Sequence, residues 1–231
     1  MLRAMNIRWL LVALAFVAGC TGSPVAPPLT NVTSITVTGA DLLLIGKTET
    51  FTVTTDVPVA VRWGSDAPGV AVVDPTSGRV SAVGTGTATI YADANGVRGT
   101  KLIRTLPDFE GGGSIYYSVA KCEASGNRSC FPTAAMYLML VQNRDTISGN
   151  FAMTDWYSYD FRNDDVVGSV SSDGWLSFTA SATSGESLRI ENVRLEMRPD
   201  RRLAGTFEHV HSDERGSVRY FYEATGSTLW R

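Results

Sequence analysis

The sequence predicts an all-β fold in two parts, a β-sandwich followed by a small antiparallel β-barrel, with a second β-sandwich as the alternative to the barrel. Almost every periodic segment alternates apolar and polar residues and is rich in Val, Thr, Ile, Tyr and Phe, which is the pattern of strands. The segments are short and separated by brief loops, which favours antiparallel sheets. No apolar run reaches the length of about 18 residues that a membrane-spanning helix needs.

Composition and charge narrow the functional classes. The chain has 231 residues, of which 44% are hydrophobic and 22 are glycine, which suits one large or two ordinary globular domains. This composition excludes disordered and collagen-like chains. The 20 basic and 23 acidic side chains give a formal net charge of −3 spread over the sequence. Because no basic face is available to neutralise phosphates, nucleic-acid binding is not expected.

The first 19 residues have the pattern of a secretory signal peptide. Arg3 and Arg8 are their only charged residues, and an apolar stretch from Trp9 to Ala18 follows. A basic start, a short apolar stretch and small residues at its end are typical of an export signal that is removed from the mature protein. We therefore predict a signal peptide at 1–19.

The end of this segment resembles the lipobox of bacterial lipoproteins. Val17-Ala18-Gly19-Cys20 places small residues before a cysteine, as that motif does. The resemblance implies that Cys20 is lipidated, becomes the first mature residue and makes the membrane a partner through its acyl chains. It also implies a place in the cell envelope. Thr21 stands where retention in the inner membrane usually requires Asp, which favours the outer membrane, on its periplasmic face or at the cell surface.

Breaks in composition divide the mature chain. Residues 21–30 hold three prolines and no charge, which predicts an extended tether. Gly111-Gly112-Gly113 follows two acidic residues and Pro107, which marks a domain boundary. The predicted parts are a lipidated cysteine with its tether at 20–30, a first domain at 31–107, a linker at 108–113 and a second domain at 114–231.

The first domain contains seven short strand candidates, which predicts a sandwich. They are Val32–Thr38, Thr50–Thr55, Val59–Trp63, Val70–Asp74, Gly78–Val83, Thr87–Ala92 and Lys101–Thr105. From the residues themselves, Trp63 is expected to fill the core between the two sheets, and Asp74 before Pro75 is expected to form a turn.

An ordered series of motifs in this domain resembles the bacterial immunoglobulin-like domain of group 2. The resemblance rests on Val32–Val37, Gly46-Lys47-Thr48, Val61–Asp66, Val70–Asp74, Thr76–Gly84 and Gly86–Ile90. It implies a cell-surface or envelope module, of the kind that occurs in adhesins and as a spacer between other domains.

The second domain has the pattern of a meander with nine strand candidates. They are Ile115–Ala120, Ala135–Gln142, Thr146–Met153, Trp156–Phe161, Val166–Val170, Trp175–Ala180, Ser187–Met197, Leu203–Val210 and Ser217–Ala224, with Leu229-Trp230 closing the chain. Hairpin-connected strands of this number favour a closed up-and-down barrel, similar to lipocalin-like and avidin-like barrels in pattern only. A glycine followed two residues later by an apolar residue recurs in Gly149-Asn150-Phe151, Gly168-Ser169-Val170 and Gly205-Thr206-Phe207. We expect a bend at each glycine and then an interior side chain.

Cys122 and Cys130 remain once Cys20 carries lipid. An exported protein lies in a compartment where thiols oxidise. The separation of eight residues predicts a disulfide between them, across a short hairpin or loop. Two thiols without a nearby histidine make a poor zinc site.

His209 and His211 are the only histidines, and strand alternation places both on one face with Asp213. Two imidazoles and a carboxylate are the ligand types of a zinc site. The alternative is a solvated strand end, because Ser212–Gly216 has the composition of a hairpin turn.

The densest aromatic run is a candidate ligand site. Trp156, Tyr157, Tyr159 and Phe161 stand close together in the chain, with carboxylates on both sides. Aromatic rings flanked by carboxylates bind sugars or flat apolar ligands. Packing in the barrel core is the alternative.

Carboxylates that would suit glycoside hydrolysis have simpler explanations. Asn163-Asp164-Asp165 is expected to form a turn, and Glu191 and Glu196 are expected to pair with arginines across the surface. The sequence has no nucleophile elbow and no phosphate loop. We therefore expect a protein that is not an enzyme and needs no cofactor.

Together these features predict a membrane-anchored, non-catalytic cell-envelope lipoprotein. It would act as a binding or adhesion module for a protein or carbohydrate surface partner, with the first domain as a spacer. The alternative is a lipocalin-like carrier whose barrel holds a small apolar or sugar ligand.

Overall fold

The structure, a computed structural model, describes residues 31–130, 135–154, 160–183 and 187–227, with the backbone alone at 135, 153–154, 160–165, 182–183 and 225. These residues form strands and no helix, which confirms the predicted all-β class. In that part of the chain there is accordingly no helix that could span a membrane. Nine strands precede Pro107: Ile35–Thr38 (β1), Leu42–Leu44 (β2), Thr48–Thr50 (β3), Thr52–Thr55 (β4), Arg62–Ser65 (β5), Ala71–Val73 (β6), Arg79–Ala82 (β7), Gly86–Ala94 (β8) and Val97–Leu106 (β9). Eight strands follow Glu110: Gly111–Ala124 (β10), Ala135–Asn143 (β11), Thr146–Thr154 (β12), Asp160–Val170 (β13), Leu176–Thr183 (β14), Ser187–Met197 (β15), Leu203–Asp213 (β16) and Gly216–Ser227 (β17).

The first nine strands form the predicted sandwich. Strands β2, β9, β8 and β5 make a four-stranded sheet in that order, β3, β7 and β6 make a three-stranded sheet, and β1 pairs with β4. The β2–β9 pair is parallel and the others are antiparallel. Strands β2 and β3 are additional to the seven predicted.

Two predicted roles in the sandwich are confirmed. Trp63 is buried in the core together with Phe51 and Ile90. Asp74 forms the expected turn, since its Oδ1 accepts hydrogen bonds from the backbone N–H groups of Ser77 and Thr76 at 2.8 and 3.0 Å. These bonds favour the ionised carboxylate, so they hold the pKa of Asp74 well below its ordinary range.

The last eight strands form a closed barrel. Each strand pairs antiparallel with the next along the chain, and β10 also pairs with β17, which completes the ring. This is the predicted up-and-down barrel, with eight strands in place of nine candidates. Its interior is filled by apolar side chains of all eight strands.

One predicted turn is wrong, and it accounts for the difference in strand number. Asn163-Asp164-Asp165 lies inside β13, which joins two of the nine candidates into one strand. The pairing with β12 passes from Gly149 opposite Val166 to Phe151 opposite Asn163. Two residues of β13 therefore face one residue of β12, which is a β-bulge. Short polar residues suit a bulge as well as a turn, so composition alone did not separate the two.

Two of the three glycines at which bends are predicted have a backbone conformation that favours glycine. Gly149 and Gly205 have φ values of +155° and +138°, where residues with a side chain are strained. A Cβ at these positions would lie 2.0 and 2.1 Å from a backbone oxygen of the neighbouring strand. Gly168 has no positive φ. The residue two positions after each glycine is buried, as predicted: Phe151, Val170 and Phe207.

Charges on the outer face of the barrel pair across strands. Arg219 of β17 forms an ion pair with Glu191 of β15 at 2.9 Å and another with Glu208 of β16. The expected pairing of Glu191 with an arginine is therefore present. Glu196 has no ion pair among the residues that the structure describes.

The segment predicted as a linker packs against the barrel. Phe109 is fully buried and shares one apolar cluster with Leu106 of β9 and the barrel interior. The Gln142 side chain accepts a hydrogen bond from the Phe109 N–H at 2.7 Å and donates one to the Pro107 carbonyl at 3.2 Å. Gly111–Gly113 already belongs to β10. The domain bounds at 31–107 and 114–231 stay a prediction.

The chain enters the sandwich at the end that lies away from the barrel. Val32 is buried in the sandwich core, and the backbone of Ile35 lies against Gly99 near the start of β9. At the other end of β9, Leu106 belongs to the apolar cluster of the barrel. Strand β9 has 10 residues, which at about 3.3 Å per residue separates its two ends by roughly 30 Å.

Candidate functional site

The barrel has two ends with different surroundings. At the proximal end, next to the sandwich, Arg104 of β9 forms an ion pair with Asp145 of the β11–β12 turn at 2.8 Å. Gly174 of the β13–β14 turn lies close to Thr85 at the same end. The distal end holds the β10–β11 loop and the β16–β17 hairpin, at the opposite ends of the same strands. Most of the site residues predicted from the sequence belong to this distal half.

The inner face of β16 and β17 carries a row of rings, which we call the aromatic row: Phe207, His209, His211, Tyr220 and Tyr222. All five side chains are buried. The ring of His209 lies 5.6 Å from that of Tyr220 and 6.3 Å from that of His211, measured between centroids. Phe207 stacks on Tyr222 at 4.9 Å. Because strand alternation brings every second residue inward, the row follows directly from the pairing of the two strands.

His209 is the unusual member of the aromatic row. It is 2% exposed, and neither of its ring nitrogens has a hydrogen-bond partner among the described residues. Burial, and then the neighbouring His211, lower the pKa of His209 to about 3. The imidazole is therefore neutral, and it carries the cost of about 1–3 kcal/mol that a buried polar group without a partner imposes.

The expectation of solvated histidines is wrong. Strand β16 continues to Asp213, so the hairpin turn contains only Glu214 and Arg215. His209 and His211 therefore lie inside the barrel, with His211 only 9% exposed.

An ion-pair cluster lies at the distal end. Asp213 is held by Arg128 of the β10–β11 loop at 2.6 Å and by Arg215 of the hairpin at 2.7 Å. Burial opposes the charge of Asp213, but hydrogen bonds from Arg215 and Arg128 outweigh it and lower the pKa of Asp213 to about 2. The carboxylate stays ionised through the ordinary pH range.

The β10–β11 loop is fastened at its base. Cys122 and Cys130 form a disulfide with their Cα atoms 6.2 Å apart, as the sequence predicts. Within the loop, the Asn127 N–H donates to the Arg215 carbonyl at 2.8 Å, so the loop lies over the β16–β17 hairpin. The disulfide thereby holds Arg128 against the barrel end.

The metal prediction gains no support from this geometry. The Asp213 carboxylate faces two guanidinium groups, which compete with any cation for its oxygens. Among the described residues, no group of three or more His, Cys, Asp or Glu side chains is placed to hold a metal ion. A site made of His209, His211 and Asp213 stays a prediction.

Several predicted site residues fall outside the description. Cys20, Trp156, Tyr157 and Tyr159 lie outside the described residues. Phe161 is described by its backbone, which pairs with that of Met153 in the β12–β13 ladder. Lipidation of Cys20 and ligand binding by the four aromatic residues stay predictions.

Arg128 is the member of the distal cluster that sequence reasoning missed. Its partner Asp213 is 85 residues away in the chain, so no local pattern connects them. An arginine enclosed between two cysteines of a predicted short loop was the available signal, because such a loop holds the side chain in one place.

The sandwich places Trp63 between its sheets and has the short strands that the motif series predicts. Residues 31–102 match the bacterial Ig-like domain, group 2. The match spans about a third of the chain, and a comparison with curated proteins finds no match. Ig-like domains of this group are generally non-catalytic and typically occur in extracellular or envelope proteins. The Ig-like domain therefore indicates a non-catalytic surface module.

Proposed function

We propose that the chain is a lipid-anchored envelope protein whose Ig-like domain is a spacer. In this proposal, the distal end of the barrel makes a non-catalytic contact with a protein or carbohydrate partner. One observation carries the proposal: the chain enters the Ig-like domain at the end away from the barrel and leaves it at the barrel. An anchor at Cys20 would therefore be connected by the chain to the end of the Ig-like domain that lies away from the barrel.

The junction supports the role of a spacer. A spacer sets the position of the next domain only if the contact between them is fixed. Here Phe109 is buried in the barrel cluster, Gln142 bonds to two backbone groups of the connecting segment, and Arg104 pairs with Asp145. Apolar burial, hydrogen bonds and an ion pair all act on the same short segment.

The distal end supports the role of a contact surface. The described part of its loop, residues 125–130, is fastened by the disulfide and by the bond from Asn127, which favours one shape before any partner arrives. A pre-organised loop binds at a lower entropic cost than one that must be ordered. Glu214 at the hairpin tip is exposed and charged, which gives a partner a directional group to recognise.

Anchoring is tested by replacing the thiol. We expect the wild-type protein to sediment with membranes and the Cys20→Ser variant to remain in the soluble fraction, because the variant has no acyl chains. Cys130→Ser is the matched control and should still sediment, since it replaces a cysteine that carries no acyl chain. Equal membrane association of the Cys20→Ser and wild-type proteins would refute the anchor.

The contact surface is tested by photo-crosslinking in intact cells. A photoreactive residue at Glu214 should give a discrete crosslinked product. The same residue at Asn95, in the β8–β9 turn at the other end of the Ig-like domain, should not. Identical products from both positions, or none from Glu214, would reject the distal end as the contact surface.

A lipocalin-like carrier is the second candidate, and His209 favours it. A neutral imidazole without a partner, set among stacked rings in a closed barrel, is a group that a hydroxyl of a small sugar ligand would satisfy. A large ligand is not expected, because protein atoms already cover Phe207, His209 and Tyr222. Mass spectrometry of organic extracts from the purified protein separates the two. A stoichiometric ligand supports the carrier, and an empty barrel rejects it.

A further inference from the structure

A cleft of about 420 Å³ lies between the Ig-like domain and the proximal end of the barrel. On one side it is formed by the Ig-like domain around Val83 and Thr85, and on the other by the β15–β16 turn from Met197 to Arg201. The connecting residues Pro107 and Asp108 also line it. Small-molecule sites occur preferentially at such domain interfaces, and clefts of about 300–1,000 Å³ are typical of them.

The walls of the cleft are largely apolar. Ile45 and Val83 line it from the Ig-like domain, Pro107 lines it from the connecting segment, and Met197 and Pro199 line it from the barrel. Val83 is 50% exposed, which is high for a large aliphatic side chain. Apolar surface of this kind favours a hydrocarbon or aromatic group that would cover it.

Two arginines give the cleft its charge. Arg198 and Arg201 line it, and neither guanidinium has an ion pair or a side-chain hydrogen bond among the described residues. Arg202 of the same turn does not line the cleft, and it pairs with Asp200 at 3.7 Å. Of the three arginines in this turn, the two that line the cleft are therefore the ones without a carboxylate partner.

The carboxylate of Asp108, which lines the cleft, is already paired with other groups. Asp108 is 4% exposed, and its carboxylate lies 3.6 Å from the Lys47 ammonium and accepts a hydrogen bond from the Glu110 N–H at 3.1 Å. It is not free to pair with the two arginines. The charge that the cleft offers to a ligand is therefore positive.

We infer that this cleft binds a small amphipathic anion, with a carboxylate between Arg198 and Arg201 and an aliphatic or aromatic body against the apolar walls. Guanidinium groups bind carboxylates through charge-assisted, often bidentate hydrogen bonds. An anion at this position contacts both the Ig-like domain and the barrel. Binding therefore also stabilises the junction between them.

The test uses octanoate as the probe and the full chain with Cys20→Ser, which removes the acyl chains from the assay. Isothermal titration calorimetry should show saturable binding of octanoate. Octanol, which lacks the charge, and inorganic phosphate, which lacks the hydrocarbon, should each bind at least tenfold more weakly. Equal binding of octanol and octanoate would overturn the assignment of the arginines, and no saturable binding of octanoate would overturn the site.

Variants locate the binding. Arg198→Gln combined with Arg201→Gln should weaken octanoate binding at least tenfold, whereas Arg202→Gln in the same turn should change it less than twofold. Val83→Glu, which brings a negative charge to the cleft, should abolish binding, and Val72→Glu on the same domain should not. Thermal unfolding verifies that each variant is folded. Unchanged affinity in the folded double arginine variant would refute the proposal.

Discussion

At the scale of single residues, the buried imidazole of His209 lowers the stability of the barrel. Its neutral imidazole occupies a position among Phe207, Tyr220 and Tyr222 that an apolar ring would fill without leaving two nitrogens unsatisfied. Buried polar groups are usually hydrogen-bonded, so this one is a departure from the ordinary construction of a core. We therefore expect the free energy of unfolding to depend on pH.

The predicted effect is a loss of stability on acidification. The imidazole of the unfolded chain takes up a proton near pH 6.5, whereas the pKa of His209 in the folded barrel is about 3. The unfolded state therefore binds the proton first, and stability falls as the pH falls from about 6.5 toward 3. Between pH 7 and pH 5 this residue should lower the free energy of unfolding by about 2 kcal/mol.

Urea unfolding of the His209→Phe variant at both pH values checks this prediction. The variant should lose that part of the pH dependence, and at pH 7 it should be at least as stable as the wild type, because it removes no hydrogen bond and no longer buries two unsatisfied nitrogens. Phe207→Leu, in the same row, should be less stable but keep the pH dependence. A pH dependence in His209→Phe equal to that of the wild type would contradict the account.

At the scale of single elements, we expect strand β16 to depend on the predicted bend at Gly205. A side chain there would meet the backbone of Arg194 on β15, and the positive φ adds strain. We predict that Gly205→Ala lowers the free energy of unfolding by on the order of 3 kcal/mol. Gly226→Ala on β17, where the nearest heavy atom is 3.6 Å away, should cost less than about 1 kcal/mol. Chemical denaturation measures both, and equal costs would show that the bend is not required.

The β10–β11 loop depends on its disulfide in a similar way. A bridge across eight residues should contribute about 2.5 kcal/mol by restricting the unfolded chain. We predict that the Cys122→Ser, Cys130→Ser double variant loses about this much in urea unfolding, and that reduction of the wild type has the same effect. Cys20→Ser, which leaves the bridge intact, is the control. An unchanged midpoint in the double variant would show that the loop is held without the bridge.

The elements also show which features could be predicted from the sequence. The bounds of β12 and β15 follow from alternation, which is local. Asp164-Asp165 has the composition of a turn but forms a bulge, because both structures accept short polar residues. The burial of His209 depends on where β16 ends. The partner of Arg128 depends on a contact between distant parts of the chain. No short sequence pattern indicates either feature.

At the scale of the whole molecule, Phe109 couples the Ig-like domain to the barrel. Its ring is fully buried in the cluster that both share. We predict that the wild type unfolds in one calorimetric transition. Phe109→Ala should lose about 3–5 kcal/mol and separate the unfolding into two transitions. Leu102→Ala on the exposed face of β9 should have little effect, since Leu102 is 64% exposed. Two transitions in the wild type would contradict the coupling.

The central claim is that an acyl anchor holds the Ig-like domain near the membrane and the barrel beyond it. It is tested most directly by fluorescence quenching of the lipidated protein in vesicles that contain a lipid-bound quencher. One fluorophore is attached at Asn95, at the end of the Ig-like domain away from the barrel, and another at Glu214, at the distal end of the barrel. The account predicts strong quenching at Asn95 and little at Glu214. Equal quenching at both positions, or stronger quenching at Glu214, would contradict it.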